Sequence, residues 1–71
     1  MITYRISSEW HFGRELGLYH SFGLKVYLHR KLFLHIPDIF CRRRKAAAFA
    51  RLCNREQPAL VHLWDVIEDA L

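Results

Sequence analysis

The chain has 71 residues, of which 52% are hydrophobic, and a formal net charge of +4 with histidine neutral. This length allows one domain with one core and leaves little scaffold for a catalytic cleft, so we expect a single domain over residues 1–71 that is not an enzyme. Residues 36–55 hold six of the cations, whereas residues 56–71 contain no lysine or arginine. Because the acidic segment could neutralise the basic one within the fold, the charge alone does not indicate nucleic-acid binding.

The cysteines and the N-terminal residues favour a cytoplasmic location. Cys41 and Cys53 lie on one predicted helix, and at 1.5 Å per residue they are roughly 18 Å apart, which is too far for a disulfide. The first residues, MITYRISSEW, lack the apolar core of a secretion signal. No apolar run approaches the roughly 18 residues of a membrane span, so no membrane contact is expected.

The first half of the chain has the alternation of strands. In ITYRIS, the apolar residues Ile2, Tyr4 and Ile6 alternate with polar ones, which predicts a half-buried strand. The next segment, SSEWHFGRELG, shows no period and is predicted to be a loop that carries Trp10 and Phe12.

The segment HSFGLKVYLHRKLFLHI predicts two further strands and a connecting loop. A two-residue turn at His29 and Arg30 would place apolar positions opposite polar ones. A three-residue loop, residues 29–31, keeps one face apolar and is preferred. It pairs Leu28 with Leu32, Val26 with Leu34, and Leu24 with Ile36. On the other face it places Tyr27 opposite Phe33 and Lys25 opposite His35.

After Pro37 the period becomes helical. DIFCRRRKAAAFARLCN predicts a helix with Asp38 as a possible N-cap and Asn54 as the C-cap. Its apolar face comprises Ala46, Phe49, Ala50 and Cys53. PALVHLWDVIEDAL predicts a second helix, whose apolar stripe comprises Leu60, Leu63, Trp64, Ile67 and Leu71. Together these elements predict an α+β fold of order β-β-β-α-α, in which two helices cover one face of a three-stranded antiparallel sheet.

Several short motifs resemble a known family. FGLKV before a hairpin, PDIF at the start of a helix, LCN at its end and a closing HLWDVIEDAL resemble short bacterial proteins from clostridia and related Firmicutes. The resemblance covers roughly residues 19–71. Phe40 and Ala59 stand where that family has helix-capping residues. The family is a domain of unknown function, so the resemblance implies a fold and a cytoplasmic location without an activity.

Four consecutive cations, Arg42, Arg43, Arg44 and Lys45, begin the first predicted helix. Cations in a first turn oppose the positive end of the helix dipole, at a cost of about 0.3–1 kcal/mol each when exposed. Asp38 and the carboxylates of the last helix could neutralise them internally. Alternatively, they contact an external anion or a nucleic acid.

The polar face of the predicted sheet is the second candidate surface. No third layer is predicted to cover it. Its members are Arg5, Lys25, Tyr27, Phe33 and His35. Aromatic side chains flanked by cations on an open sheet can stack on nucleic-acid bases, and they can equally be buried in a symmetric dimer.

The sequence predicts no cofactor, metal site or catalytic group. His62, Asp65 and Asp69 share a helix face but lack ligands from other elements, and no paired cysteine motif is present. There is also no glycine-rich phosphate loop or nucleophile elbow.

Two hypotheses about function follow. The first is a non-enzymatic module for interaction with proteins or for regulation, which forms a homodimer through the open sheet face. The second is a nucleic-acid-binding regulator that uses the basic first turn.

Overall fold

A computed structural model describes residues 1–71 and shows a three-stranded antiparallel sheet, in the order β1-β2-β3, followed by helices. The strands are β1 (Ile2–Gly13), β2 (Gly17–Leu28) and β3 (Lys31–Phe40). The helices are α1 (Arg43–Glu56) and α2 (Leu63–Ala70), the latter preceded by a 3-10 turn, Leu60–His62. The predicted β-β-β-α-α order is confirmed. No helix combines the length and apolarity that a bilayer crossing requires.

One core of twelve buried side chains lies between the helices and one face of the sheet. The strands contribute Tyr4, Phe22, Leu24, Val26, Ile36 and Phe40, and the helices contribute Ala46, Phe49, Ala50, Cys53, Leu63 and Ile67. The predicted apolar face of α1 is therefore confirmed. In α2, Leu63 and Ile67 are buried as predicted, but Trp64 is 59% exposed and Leu71 is exposed as well. Trp64 points away because it lies about 100° around the helix from Leu63.

The β1–β2 hairpin is longer than predicted. The segment expected to be a loop continues both strands, and β1 pairs with β2 from Ile2 opposite Leu28 to Gly13 opposite Gly17. Beyond Ile6 no helix is packed against the strand closely enough to make one face wholly apolar. Ser8 interrupts the apolar side there, but Trp10 and Phe12 alternate with Glu9 and His11, so the period of two resumes as the strand continues.

The turn between β2 and β3 also differs from the prediction. It is a two-residue turn in which His29 and Arg30 both have positive φ, of 52° and 66°, as type I′ hairpin turns require. Val26 still pairs with Leu34 and Leu24 with Ile36, as predicted. A register shift between Val26 and Tyr27 absorbs the extra residue. Leu28 consequently pairs with Lys31, and Tyr27 with Leu32. The predicted pairs Leu28–Leu32 and Tyr27–Phe33 are therefore wrong.

Strand β3 runs three residues past Pro37, so α1 begins later than predicted. Residues 37–39 bulge past Gly23, which returns Phe40 to the core side opposite Phe22. Asp38 lies in the strand with a φ of 58° and accepts a hydrogen bond from the hydroxyl of Tyr19 at 3.3 Å. It therefore does not cap α1.

Two amide side chains of α1 bond to the outer edge of β1. Asn54 accepts from the backbone N–H of Tyr4 at 2.8 Å and donates to its carbonyl at 2.9 Å. Gln57 does the same for Ile2, at 2.9 and 2.7 Å. We call these two residues the amide clamp. Gln57 rather than Asn54 is the C-cap, in the left-handed conformation, so the predicted capping role of Asn54 is wrong.

Candidate functional site

The far half of the β1–β2 hairpin, residues 9–21, extends past the helices, and we call it the arm. Its even-numbered positions share the core-facing side of the sheet, yet they are open to solvent. Trp10 is 66% exposed, Phe12 82% and Leu18 66%. Large apolar side chains clustered on one surface are typical of binding sites rather than of inert surface.

Three rings, those of Trp10, His20 and Phe22, form a row of contacts on this side, which we call the ladder. Trp10 stacks on His20 with the ring centroids 4.6 Å apart and an interplanar angle of 14°. His20 contacts Phe22 at 4.7 Å. The guanidinium of Arg43 lies 5.8 Å from the centre of the Phe22 ring. The ladder therefore leads from the exposed arm directly to the basic first turn of α1.

That basic cluster, Arg42 to Lys45, is exposed throughout, and no side chain caps the helix beginning. Each of the three ion pairs in the fold involves a histidine, so no carboxylate lies within 4 Å of a lysine or arginine. Of the two alternatives for this cluster, pairing with Asp38 or with the carboxylates of the last helix is not formed at contact distance. The C-terminal end of α2 approaches Arg42 and Lys45, which line a shallow depression with Ala70. Arg43 and Arg44 are the more available cations.

The other predicted site residues lie on the open sheet face, but not all of them contact one another. The guanidinium of Arg5 lies 5.8 Å from the ring centre of Tyr27. Lys25 is opposite His35 as predicted. Phe33 is the residue that the bulge leaves without a partner, and it is 57% exposed. The face thus presents one half-buried and one exposed aromatic ring among cations.

His35 belongs to a polar cluster that the sequence did not reveal. Its Nε2 lies 2.9 Å from Oε1 of Glu9 and 3.1 Å from Oγ of Ser7. These side chains come from β1 and β3 and meet across Gly23 of the central strand. Ser7 and Glu9 were missed because residues 7–17 were expected to form a loop.

The cluster contains the residue types of a hydrolase triad but not its geometry. In a triad the nucleophile and the carboxylate bond to opposite ring nitrogens of the histidine. Here Ser7 and Glu9 both approach Nε2 of His35, so the ring cannot pass a proton from one to the other. No three His, Cys, Asp or Glu side chains are arranged to hold a metal ion. The cluster joins β1 to β3.

The environment of Glu9 shifts its pKa. Desolvation acts to raise the pKa, but hydrogen bonds from Ser7 and His35 and the charges of His35 and His11 outweigh it, so the pKa of Glu9 lies below the usual 4.5. A lowered folded-state pKa contributes stability that is present above the unfolded value and lost as pH falls through the folded value.

We therefore expect the free energy of unfolding to decrease as the pH falls below about 4.5. Glu9→Gln should flatten this decrease, because the glutamine cannot be protonated. Urea unfolding followed across acidic pH measures the effect. Glu56→Gln, at an exposed helix end, is the control and should keep the wild-type profile; equal profiles for the wild type and Glu9→Gln would contradict the assignment.

The two cysteines are free. Cys53 is fully buried in the core, and its burial raises the pKa of the thiol to about 11. Such a thiol is protonated at neutral pH and unreactive.

No family model, no curated protein and no solved structure matches the chain. The resemblance to the clostridial family stays a prediction. Fold and surface together define a small two-layer α+β protein with an exposed aromatic arm beside an unpaired basic cluster.

Proposed function

We propose that the protein is a small non-enzymatic module that binds single-stranded nucleic acid along the ladder and the basic cluster. One observation carries the proposal. The exposed, stacked rings of Trp10 and His20 lead through Phe22 to the guanidinium of Arg43, and no carboxylate pairs with that guanidinium.

The ladder and the basic cluster match the bases and the phosphates of a single strand, respectively. Unpaired bases stack on exposed aromatic rings whatever their identity, since every base has a π-face. Phosphates bind to guanidinium groups and to the free N–H groups at a helix beginning. A duplex buries its base faces, so the ladder favours single strands over duplexes.

Charge supports the same partner. An apolar arm alone would fit many ligands, but the net charge of +4 and the exposed Arg43 and Arg44 favour a polyanion. Neutralising phosphates releases counterions, so we expect affinity to fall steeply as salt increases.

The test is fluorescence anisotropy with labelled oligo(dT) and oligo(rU) at low salt. Base stacking on one aromatic ring is worth about 1–3 kcal/mol, so Trp10→Ala should weaken binding roughly 5- to 150-fold. Arg43→Gln should reduce the slope of log affinity against log salt by about one. A matched duplex should bind more weakly than the single strand.

The chain offers matched controls for both changes. Trp64→Ala removes a tryptophan of similar exposure from α2, and Arg55→Gln removes an exposed cation from the other end of α1. Both should bind as the wild type does. No binding to either oligonucleotide at low salt would reject the proposal. A loss in Arg55→Gln equal to that in Arg43→Gln would show unspecific charge attraction, and a loss in Trp64→Ala equal to that in Trp10→Ala would show that the ladder is not the binding surface.

Self-association through the open sheet face is the second candidate, favoured by the 57% exposure of Phe33, which the bulge leaves without a cross-strand partner. Arg5 and Lys25 share that face, so a symmetric contact there would bring like charges together. This candidate is tested together with the edge contact described next.

A further inference from the structure

The outer edge of β1 has a covered part and a free part. Ile2 and Tyr4 point their backbone groups outward, where the amide clamp binds them. The direction of the backbone N–H and C=O groups alternates along a strand. The backbone groups of Ile6, Ser8, Trp10 and Phe12 therefore point toward the outer edge as well. No strand, turn or side chain of the protein bonds to these four. A long edge with free N–H and C=O groups readily accepts another strand.

We propose that this free edge, Ile6 to Phe12, pairs antiparallel with the same edge of a second copy. The two-fold axis passes through Glu9. This register pairs Ile6 with Phe12 of the second copy and Ser8 with Trp10 of the second copy. All four outward-facing residues of each chain then have a partner.

The neighbouring registers fit less well. An axis at Ser8 would place Phe12 of the second copy opposite Tyr4, whose backbone groups already bind Asn54. An axis at Trp10 would place Ile6 opposite Arg14, which lies in the turn outside the strand. With the axis at Glu9, β1 of the second copy ends at Gly13 opposite Arg5, just before the clamp.

Side-chain packing favours the same register. Directly opposed side chains on one sheet face are neighbours, so Phe12, which is 82% exposed, would pack on Ile6 of the other copy. Glu9 of each copy lies beside the axis, but its carboxylate is held toward His35 on β3, at the other edge of its own sheet. That hydrogen bond turns the two negative charges away from each other.

Edge pairing leaves both sheet faces free. Because the axis is perpendicular to the sheet, both ladders and both basic clusters would lie on one side of a continuous sheet. The inference does not depend on the proposed nucleic-acid binding, and it is tested without nucleic acid.

Light scattering over a range of micromolar concentrations is expected to give a mass approaching twice the 8.5 kDa of one chain. Ser8→Pro removes an outward N–H that the fold does not use, so it should give a monomer with wild-type circular dichroism. Ser8→Thr keeps the N–H and should remain a dimer. Phe12→Lys, at an exposed site, should also give a monomer and decides the matter if Ser8→Pro fails to fold.

The variant Tyr27→Glu with Phe33→Glu separates the two candidate dimers. It should remain a dimer if the edge is the contact. Monomeric wild type at every concentration would overturn the inference. It would also be overturned if this double variant were monomeric while Ser8→Pro and Phe12→Lys stayed dimeric.

Cross-linking tests the register. With Cys41 replaced by serine, Glu9→Cys places two thiols on the axis, where opposed Cα atoms are about 4.5 Å apart and a disulfide can form. Mild oxidation should therefore yield a covalent dimer. Arg5→Cys is the control and should stay uncross-linked; the reverse result would show that the register is wrong.

Discussion

Replacing Gly23 by alanine is expected to lower the free energy of unfolding by about 3 kcal/mol or more, because the added methyl group has no room. An ideal Cβ at this position would lie 2.3 Å from the carbonyl oxygen of Ile36 and 2.7 Å from Cα of Pro37. Both neighbours are backbone atoms of β3 and cannot rotate away. A core of this size supplies only about 3–5 kcal/mol, so a large fraction of the variant should be unfolded.

Gly13→Ala is the matched control. Its new methyl group would meet nothing closer than 3.5 Å, so we expect a change within about 0.5 kcal/mol. Urea unfolding followed by far-UV circular dichroism measures both variants. A Gly23→Ala protein as stable as Gly13→Ala would mean that β2 and β3 do not approach each other this closely.

Removing the amide of Asn54 should have the second largest effect. Asn54→Ala leaves the backbone N–H and C=O of Tyr4 without partners beside the core, and the expected loss is about 2–3 kcal/mol. Gln57→Ala should cost less, because Ile2 lies near the open end of the sheet, where water can replace the lost bonds. Chemical unfolding of both variants provides the comparison.

Arg51→Ala is the control on the same helix. Its side chain is exposed and makes no ion pair, so its stability should stay within about 0.5 kcal/mol of the wild type. If Asn54→Ala were equally mild, the hydrogen bonds to Tyr4 would contribute nothing net to folding.

The role of the clamp explains why one end of β1 is closed and the other is open. Edge strands are protected when other groups bond to their backbone. Asn54 and Gln57 protect only Ile2 and Tyr4, since α1 ends there. The remaining edge and the arm are the parts of the protein that stay available to a ligand or a second copy.

The sequence by itself determined the order of elements and the faces that form the core. Leu24, Val26 and Ile36 were assigned to the buried face from a period of two, and Phe49 and Cys53 from a period of 3.6. Such assignments succeed because periodicity is a local property of the backbone that packing then uses. The arm was missed because Ser8 and the charged turn residues Arg14 and Glu15 interrupt its apolar face, although Trp10 and Phe12 keep the period of two.

Only the tertiary structure decided which distant groups meet. Asn54 bonds to Tyr4 across fifty residues of chain, and Ser7 reaches His35 because Gly23 between them has no side chain. The ladder reaches Arg43, and the carboxylates of α2 do not, because the positions of the arm and of α2 depend on packing between elements. Local sequence contains no signal for such contacts, since their free energy arises only when separate elements are brought together.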